Sequence, residues 1–486
     1  MKIKIVLRTV GMIMLIEAAL MLLPAFVGIC YGERSSALVF AGTACLTAAA
    51  GGLLMLIKPA GTNIYAREGF VITGLSWLML SIFGCLPFVI SGQIPNFIDA
   101  FFETVSGFTT TGASILNDIE ALDQSMLFWR SFTHWVGGMG ILVFGMIIVP
   151  LGGKRSMHLL RSESPGPSSS KLVPKMRDTA KILYGIYMAM SVIMLILLMA
   201  GGMDLYDGLI NVFGTAGTGG FSNHGASIAY YDNSYFEVVI GVFMLLFGVN
   251  FNLYYLVLLK RLGASLKSEE LHCYLGITAF AVITIAININ SLYENFHQAL
   301  LDSFFQVSTI ITTTGFATAD FDLWPQYSRT ILVLLMLVGA CAGSTGGGLK
   351  VSRVMLLFRS IKRGMRRMIH PRSIESIRFE GRIVEEETLS ACLIYFAVYC
   401  LILIVSTVVV SLDNQTFETN LTAVIACVNN IGPGLGMVGP TGNYAAFSLL
   451  SKAVLSFGML AGRLELFPVL LLFAPSTWRQ GMIYRR

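Results

Sequence analysis

The chain has 486 residues, of which 55% are hydrophobic and only 13% are charged, and its mean hydropathy is +0.73. Soluble domains carry about 25% charged residues, so this composition excludes an ordinary soluble protein and indicates an integral membrane protein. The net charge of +5 is explained by basic loops on one side of a membrane, and it gives no reason to expect nucleic-acid binding.

Ten apolar runs are long enough for a membrane-spanning helix, which needs about 20 residues. The first run begins Met1-Lys-Ile-Lys, but it is too long for a signal peptide and no small-residue cleavage site ends it, so we expect a retained helix. In chain order the runs are Ile3–Ile29, Ala37–Ile57, Phe70–Ile90, Met126–Leu151, Ile182–Met203, Phe236–Leu259, Leu271–Ile289, Thr330–Phe358, Leu389–Leu412 and Phe447–Phe473.

Lysine and arginine cluster between these runs in a pattern that predicts the orientation of the chain. The clusters are the N-terminus and residues 58–67, 154–181, 260–267, 350–382 and 478–486. Ten alternating spans place every cluster on the same side, and cytoplasmic loops carry the excess of positive charge in membrane proteins. We therefore expect both termini to be cytoplasmic, together with the two long polar segments, 152–177 and 359–387.

Four shorter apolar segments end in glycine-bearing turns, and their length of about 10 to 14 residues suits re-entrant half-helices. They are FIDAFFETVSGFTTTGAS (Phe97–Ser114), YDGLINVFGTAGTGGFS (Tyr206–Ser222), ALLDSFFQVSTIITTTGFAT (Ala299–Thr318) and FETNLTAVIACVNNIGPGLG (Phe417–Gly436). The acids Asp99, Asp207 and Asp302 precede three of the turns and predict an N-terminal acid for each half-helix. Spacings of 107, 96 and 117 residues indicate an internal repeat when the aligned glycines are Gly112, Gly219, Gly315 and Gly432.

Each repeat reads as a span, a half-helix, a glycine turn and a second span. The predicted fold is therefore an all-α polytopic membrane protein, with ten transmembrane helices and four pseudo-fourfold repeats around a central ion pore. The first two spans lie outside the repeat and predict an additional helical hairpin. The predicted divisions are the hairpin 1–60, repeat one 61–152, repeat two 153–265, repeat three with a glycine-rich loop 266–360, a cytoplasmic linker 361–387 and repeat four 388–486.

The repeated turns suggest a path for ions. Irregular backbone is tolerated at membrane depth only where protein buries it or where it lines a water-filled path. If four such turns meet around one axis, their carbonyls can replace the hydration shell of a cation, and the hydroxyls of Thr110, Thr111, Thr313 and Thr314 add oxygen ligands suited to K⁺ or Na⁺. A helix cap or a tight helix contact is the alternative for any single turn, but it leaves four copies in register unexplained.

The segment GACAGSTGGGLK (Gly339–Lys350) interrupts an apolar run with several glycines, so we expect the helix to break there. It lacks the Gly-Lys-Ser/Thr ending of a phosphate-binding loop, and no strand precedes it, so nucleotide binding is not expected. A flexible gate is the functional interpretation, and a packing kink is the alternative.

Arg463, in FGMLAGRLELFPVLLLF, is a charge inside the last apolar run. Such residues face a cavity or a partner, so we predict a role in the ion path, with a structural interhelical bond as the alternative. Glu465 lies two residues further on and would project from a different face of a helix, which argues against a local ion pair.

No catalytic or metal-binding motif stands out. The eight cysteines include no Cys-x-x-Cys pair and no spacing with histidine that is typical of a metal site. The six histidines form no paired motif, and His134 is interpreted as an interfacial packing residue. We therefore expect no enzyme.

These features together resemble the bacterial Trk/Ktr potassium-uptake proteins, in particular the TrkH/TrkG type of membrane subunit. The motifs that carry the resemblance are TTTGAS, TGGFS, TTTGF, NNIGPGLG, the glycine-rich break and AGRLELFPVL, and they cover nearly the whole chain. The resemblance implies a gated, K⁺-selective uptake pore in the bacterial inner membrane, in a homodimer whose protomers each carry a pore. It places the ion-binding backbone at Thr110, Thr111, Gly112, Thr218, Gly219, Thr313, Thr314, Gly315, Asn430, Ile431 and Gly432.

The resemblance also implies an intramembrane gate and a regulatory partner. The partner would be a cytosolic, TrkA-type nucleotide-binding subunit, with the basic segment Lys350–Arg382 as a docking surface. The chain itself would need no cofactor besides the transported K⁺, because nucleotide would bind only to that partner. The resemblance implies a gating loop formed by Gly343, Ser344, Thr345, Gly346, Gly347 and Gly348, with Arg463 near it below the filter. We add Lys350, which ends the glycine-rich segment, to these predicted gating residues.

Selectivity and coupling stay open at this point. In some eukaryotic relatives a serine replaces the first filter glycine and permeation shifts towards Na⁺, whereas all four glycines are present here. The fourth turn lacks the threonines and contains Pro433, so the pore would be only pseudo-fourfold. The alternatives are a secondary transporter that couples K⁺ to H⁺ or Na⁺ and a poorly selective K⁺/Na⁺ pathway.

Overall fold

The computed structural model describes residues 2–58, 66–148, 176–372 and 375–478. Within these residues the chain is predominantly helical, which confirms the predicted all-α class. Among the described residues, six helices are long and apolar enough to cross a membrane, or seven if a pair bent by 89° counts as one span. They are Ile3–Cys30, Arg34–Met55, Arg67–Ile90, Lys181–Ala200, Glu269–Leu292 and Glu386–Asp413, and the bent pair is Ser234–Phe247 with Phe251–Leu258.

Many of the apolar runs consist of more than one helix. A two-stranded antiparallel hairpin pairs Arg378–Phe379 with Arg382–Ile383, and most of the polar segment 152–177 lies outside the described residues. The α-helices are, in chain order, Ile3–Leu20, Leu22–Cys30, Arg34–Met55, Ala66–Gly84, Leu86–Ile90, Phe97–Phe108, Gln124–Ile148, Met176–Ala200, Leu205–Gly217, Ser234–Phe247, Phe251–Leu258, Leu262–Ser265, Glu269–Ile289, Phe296–Ile311, Gln326–Met336, Val351–Ile369, Glu386–Val410, Phe417–Val428, Leu449–Arg463, Phe467–Phe473 and Pro475–Trp478.

The first and third helices form a tightly packed hairpin, because small residues face each other where they cross. A Cβ atom built on Gly11 would lie 2.6 Å from the carbonyl oxygen of Gly51, and one built on Gly51 would lie 2.8 Å from that of Gly11. Glycine at both positions therefore allows the two backbones to approach closely, which is a common way to pack helices in membranes.

Helix breaks position the candidate site. The expected break in the eighth apolar run is confirmed, since one helix ends at Met336 and the next begins at Val351. The last run also breaks, directly after Arg463, where Glu465 and Leu466 adopt positive φ angles. The placement of Arg463 inside a continuous span is therefore wrong: this residue ends a helix, and its side chain lies next to irregular backbone.

The four short segments are helices that begin near their acidic residues, with one exception. Asp99 and Asp207 lie in the first turn of Phe97–Phe108 and Leu205–Gly217, as the sequence predicts. The prediction for Asp302 is wrong, because its helix already begins at Phe296. Polar and apolar residues upstream continue the helical pattern there, and the carboxylate of Asp302 lies within the helix.

Candidate ion pathway

All four half-helices end in the same backbone motif. The amide of Thr111 donates to the carbonyl of Ser106 at 2.8 Å, and the corresponding amides of Gly219, Thr314 and Ile431 donate across the same interval at 2.8 to 2.9 Å. This is the Schellman motif, which requires a left-handed residue just after the helix. Those residues have φ angles between +54° and +59°, and they are Thr110, Thr218, Thr313 and Asn430.

The third residue of each turn is a glycine with a positive φ angle between +75° and +94°. In the second turn this residue is Gly220, so the alignment of Gly219 with the other three glycines is shifted by one residue. Two adjacent glycines cannot be told apart by composition, whereas the backbone angles separate them. The aligned turns are therefore 110–112, 218–220, 313–315 and 430–432.

The four turns close into a ring. A Cβ atom built on Gly112 would lie 2.1 Å from the carbonyl oxygen of Gly219 in the second turn. The same test places Gly220 against Thr314 at 2.1 Å and Gly315 against Ile431 at 2.2 Å. The ring is completed by Gly432, whose Cβ would lie 2.7 Å from the carbonyl oxygen of Thr111. Each glycine thus makes room for the carbonyl of the next turn, and only glycine fits at such distances.

We call the carbonyl oxygens of Thr111, Gly219, Thr314 and Ile431 the carbonyl ring. Within the described residues, none of these oxygens accepts a hydrogen bond. Unpaired carbonyls at a buried site cost free energy unless another partner binds them. Oxygens in this arrangement can coordinate a hard cation.

The threonine hydroxyls at the second turn positions are bonded within the protein. The hydroxyl of Thr111 lies 2.8 Å from that of Thr109, and the hydroxyl of Thr314 lies 2.8 Å from that of Thr312. The side-chain amide of Asn430 donates to the Thr111 hydroxyl at 3.0 Å. These side chains therefore stabilise the turns through hydrogen bonds within the protein.

His134 supports the first two turns and is completely buried. Its Nδ1 lies 2.7 Å from the carbonyl oxygen of Gly107, and its Nε2 accepts a hydrogen bond from the amide of Phe221 at 3.2 Å. A Cβ atom on Gly219 would lie 2.3 Å from the imidazole ring. The interpretation of His134 as an interfacial residue is therefore wrong, since the ring is a buried support whose Nδ1 carries the proton.

A buried ion pair that the sequence reasoning missed also braces these turns. Arg130 Nε lies 2.6 Å from Glu103 Oε1, and both side chains are buried. Glu103 accepts a hydrogen bond from the amide of Ile115 at 2.9 Å, and Arg130 donates to the carbonyl of Ser222 at 2.9 Å. The signal was two charges inside apolar segments, one on the first half-helix and one on the helix that follows it.

Removal of one charge of this pair should destabilise the protein. We expect Arg130→Met to lower the free energy of unfolding by about 3–5 kcal/mol, because Glu103 would remain buried without its partner. In thermal unfolding of the purified protein in detergent, Arg130→Met with Glu103→Leu should cost less than the sum of the two single changes. Strictly additive costs would show that the two side chains are not coupled.

The segment Gly339–Lys350, which we call the glycine loop, lies directly against three of the four turns. The carbonyl of Thr345 accepts a hydrogen bond from the hydroxyl of Thr218 at 3.0 Å, and the amide of Gly347 donates to the hydroxyl of Thr313 at 2.7 Å. A Cβ atom on Gly347 would lie 2.6 Å from the carbonyl oxygen of Asn429, next to the fourth turn. The loop therefore contacts the first residue of the second, third and fourth turns, which are Thr218, Thr313 and Asn430.

Two cations hold the loop in this position. Arg463 donates to the carbonyl of Thr345 at 2.7 Å and to that of Gly137 at 3.0 Å, so it ties the loop to the helix after the first turn. The ammonium of Lys350 donates to the carbonyls of Gly346 and Gly347. Both side chains are buried, and they place positive charge beside the glycine loop.

The remaining predicted gating residues shape the loop itself. Gly343 and Gly348 have positive φ angles of +73° and +69°. The carbonyl of Gly343 accepts from the amide of Phe251 at 3.0 Å, and the hydroxyl of Ser344 donates to the carbonyl of Cys341 at 2.7 Å. The loop thus packs on the break of the bent helix pair.

Two acidic residues anchor the ends of the loop. Glu270, which the sequence reasoning missed, accepts hydrogen bonds from the amides of Ala342 at 2.8 Å and Ser352 at 3.1 Å. Glu465 pairs with Arg353. The expectation that Glu465 does not pair with Arg463 is confirmed, although the reason is the helix break rather than the two-residue spacing.

Comparisons with known proteins show the family of the chain. A family model named TrkH, described as a cation transport protein, matches residues 35–275 and 274–480. The chain is 36% identical to the Trk system potassium uptake protein TrkH of Escherichia coli strain K12, over 97% of this chain and 99% of that protein. It is 31% identical to the Trk system potassium uptake protein TrkG of the same strain, over 98% and 99%. The crystal structure of the potassium transporter TrkH from Vibrio parahaemolyticus matches with a TM-score of 0.89 and 30% identity, over 99% of this chain and all of that one. The chain therefore belongs to the TrkH family of cation transport proteins.

Proposed function

We propose that this protein is the membrane subunit of a Trk-type system and takes up K⁺ through a selective, gated pore. The observation that carries the proposal is the carbonyl ring, which four left-handed turns close around one centre. Such oxygens replace the water that a K⁺ ion loses. Each half-helix also directs its partly negative C-terminal end towards the ring. The similar proteins from Escherichia coli are named as potassium uptake proteins.

The proposed filter is the backbone of the four turns. It comprises Thr110, Thr111, Gly112, Thr218, Gly219, Gly220, Thr313, Thr314, Gly315, Asn430, Ile431 and Gly432. The recurrence of one motif at the end of four half-helices supports four pseudo-fourfold repeats within a layout of ten spans. The basic clusters favour an inner-membrane protein with both termini in the cytoplasm.

The proposed gate is the glycine loop from Gly343 to Gly348, together with Lys350 and Arg463. Its contacts with the second, third and fourth turns support this role, because a segment in that position covers one side of the filter. Two buried cations beside the loop would repel K⁺ while it is closed. We also propose a homodimer and a cytosolic, TrkA-type partner that supplies nucleotide binding, for which the support is the resemblance and the word "system" in the names of the relatives.

The proposal predicts K⁺-selective flux through the reconstituted protein. Uptake of radiolabelled Rb⁺ into liposomes should be suppressed by K⁺ at far lower concentrations than by Na⁺. Equal competition by Na⁺ would contradict selectivity and favour the poorly selective pathway. Steady current without a gradient of H⁺ or Na⁺ would exclude obligatory coupling to either ion. If the chain alone shows no Rb⁺ uptake, the same assay is repeated with the regulatory subunit present. Absence of uptake in that assay as well would contradict the proposal.

A further inference from the structure

The helix Val351–Ile369 leaves the glycine loop and exposes one apolar face. Its first turns are buried, and from Phe358 onwards large apolar side chains are exposed by 56% to 85%. Their spacing of three and four residues places them on one side of the helix. We call these residues the apolar stripe: Phe358, Ile361, Met365, Met368 and Ile369.

The flank of this helix next to the stripe is basic and partly paired with the protein body. The paired arginines are Arg359 with Glu269, Arg363 with Glu386 and Arg366 with Glu375. These acids lie on neighbouring elements of the chain, so the paired side faces the protein and the apolar stripe faces away from it. Lys362, at the edge of the stripe, forms no salt bridge to any residue that the structure describes, whereas Arg367 lies on the side of the paired Arg363 and acts electrostatically on Glu386.

We infer that the apolar stripe lies in the membrane–water interface, where Lys362 binds anionic phospholipid headgroups. An apolar face beside a lysine that has no salt bridge within the described residues matches an anionic bilayer surface, with acyl chains below the stripe and phosphates around the charge. The helix is not among the candidate spans, because its charges prevent it from crossing the membrane.

The size of the stripe favours lipid over another protein. Stable protein interfaces take about 20–30 residues from each side, whereas the stripe has five. A membrane surface is always beside a chain that crosses the bilayer, so this small face is covered without a further partner. The alternatives are that a second copy of this chain or a soluble partner covers the stripe, and fluorescence quenching distinguishes them from lipid.

Lipid bound to the stripe would act on the glycine loop, because the helix that carries the stripe begins directly after the loop and is hydrogen-bonded to it. The amide of Val351 donates to the carbonyl of Ala340 at 3.3 Å, and Glu270 clamps Ser352 to the loop residue Ala342. This coupling rests on the proposed gate, whereas the membrane placement of the stripe does not. Anionic lipid should therefore shift the open fraction of the pore.

Tryptophan quenching tests the placement. Met368→Trp introduces a fluorophore on the stripe, and Ser360→Trp introduces one on the paired side of the helix, which carries Arg363 three residues further on. In liposomes whose phospholipids carry bromine near the headgroup end of the acyl chains, the added fluorescence of Met368→Trp should be quenched severalfold more than that of Ser360→Trp. Equal or absent quenching would overturn the placement, and chemical crosslinking of the stripe between two copies would assign it to a second copy.

Flux measurements test the coupling separately. Radiolabelled Rb⁺ uptake should change severalfold between purely zwitterionic liposomes and liposomes with added phosphatidylglycerol. In Lys362→Gln this dependence should be lost, whereas Lys267→Gln, a matched change in another basic loop, should keep it. If the Met368→Trp fluorescence is quenched but the flux does not depend on lipid, the lipid site is supported and its coupling to the gate is overturned. A loss of flux in every liposome would instead count against the proposed pore.

Discussion

Gly315→Ser should reduce the preference for K⁺ over Na⁺ by about tenfold or more, which corresponds to about 1.4 kcal/mol. Gly315 has a φ angle of +91°, and a Cβ atom there would lie 2.2 Å from the carbonyl oxygen of Ile431. A side chain in the left-handed region costs about 1–2 kcal/mol, and the overlap must push the Ile431 carbonyl out of the ring. The ratio of K⁺ to Na⁺ concentrations that halve Rb⁺ uptake measures this change.

Gly276→Ser is the matched control, because a Cβ atom at Gly276 would meet nothing within 4 Å. It should keep both the uptake rate and the selectivity of the parent protein. If Gly315→Ser folds, conducts and selects K⁺ as the parent does, the carbonyl ring is not the selectivity filter. A variant that fails to fold is recognised by its elution in size-exclusion chromatography, and Gly315→Ala, with the smaller side chain, then takes its place.

Arg463→Gln should raise Rb⁺ flux in the absence of any regulator by about tenfold or more. Arg463 bonds the glycine loop at Thr345 and the neighbouring helix at Gly137. A hydrogen bond to a charged group contributes about 1.5–3 kcal/mol, and about 1.4 kcal/mol shifts an equilibrium tenfold. Loss of the guanidinium both frees the loop and removes a positive charge that repels K⁺.

Two further variants separate these causes. Arg463→Lys keeps the charge but cannot bridge both carbonyls, so an intermediate rise in flux would show that the hydrogen bonds contribute. Arg329→Gln removes an arginine that pairs with Asp322 and Glu418, away from the glycine loop, and it should leave the flux unchanged. Unchanged or lower flux in Arg463→Gln would contradict the gate.

The parts of the candidate site that could be predicted from the sequence are those with a local chemical cause. Threonine and glycine after an apolar segment predict a helix end with irregular backbone, and three helices do end at such turns, while the fourth ends at a turn with asparagine and glycine. A run of glycines predicts a helix break, and the chain between Met336 and Val351 is not helical. Both signals are contained within a few consecutive residues.

The parts that could not be predicted depend on contacts between distant segments. Which of Gly219 and Gly220 matches the other turns is decided by the carbonyl of Thr314, which comes close to Gly220. The pair of Arg130 and Glu103 joins two helices, and a single sequence does not report such partners. The bend after Phe247 depends equally on the loop that packs against it, through the amide of Phe251.

Closure of the carbonyl ring has a consequence for biosynthesis. The first and last turns meet directly, and the hydrogen bond from Asn430 to Thr111 joins residues that are 319 positions apart. The first turn emerges from the ribosome long before the fourth turn has been synthesised. The nascent chain must therefore hold an incomplete ring in the translocation machinery until the fourth repeat is inserted. Contacts of such long sequence separation form late. Chains truncated before the fourth turn are thus expected to be substrates for membrane proteases and not partial channels.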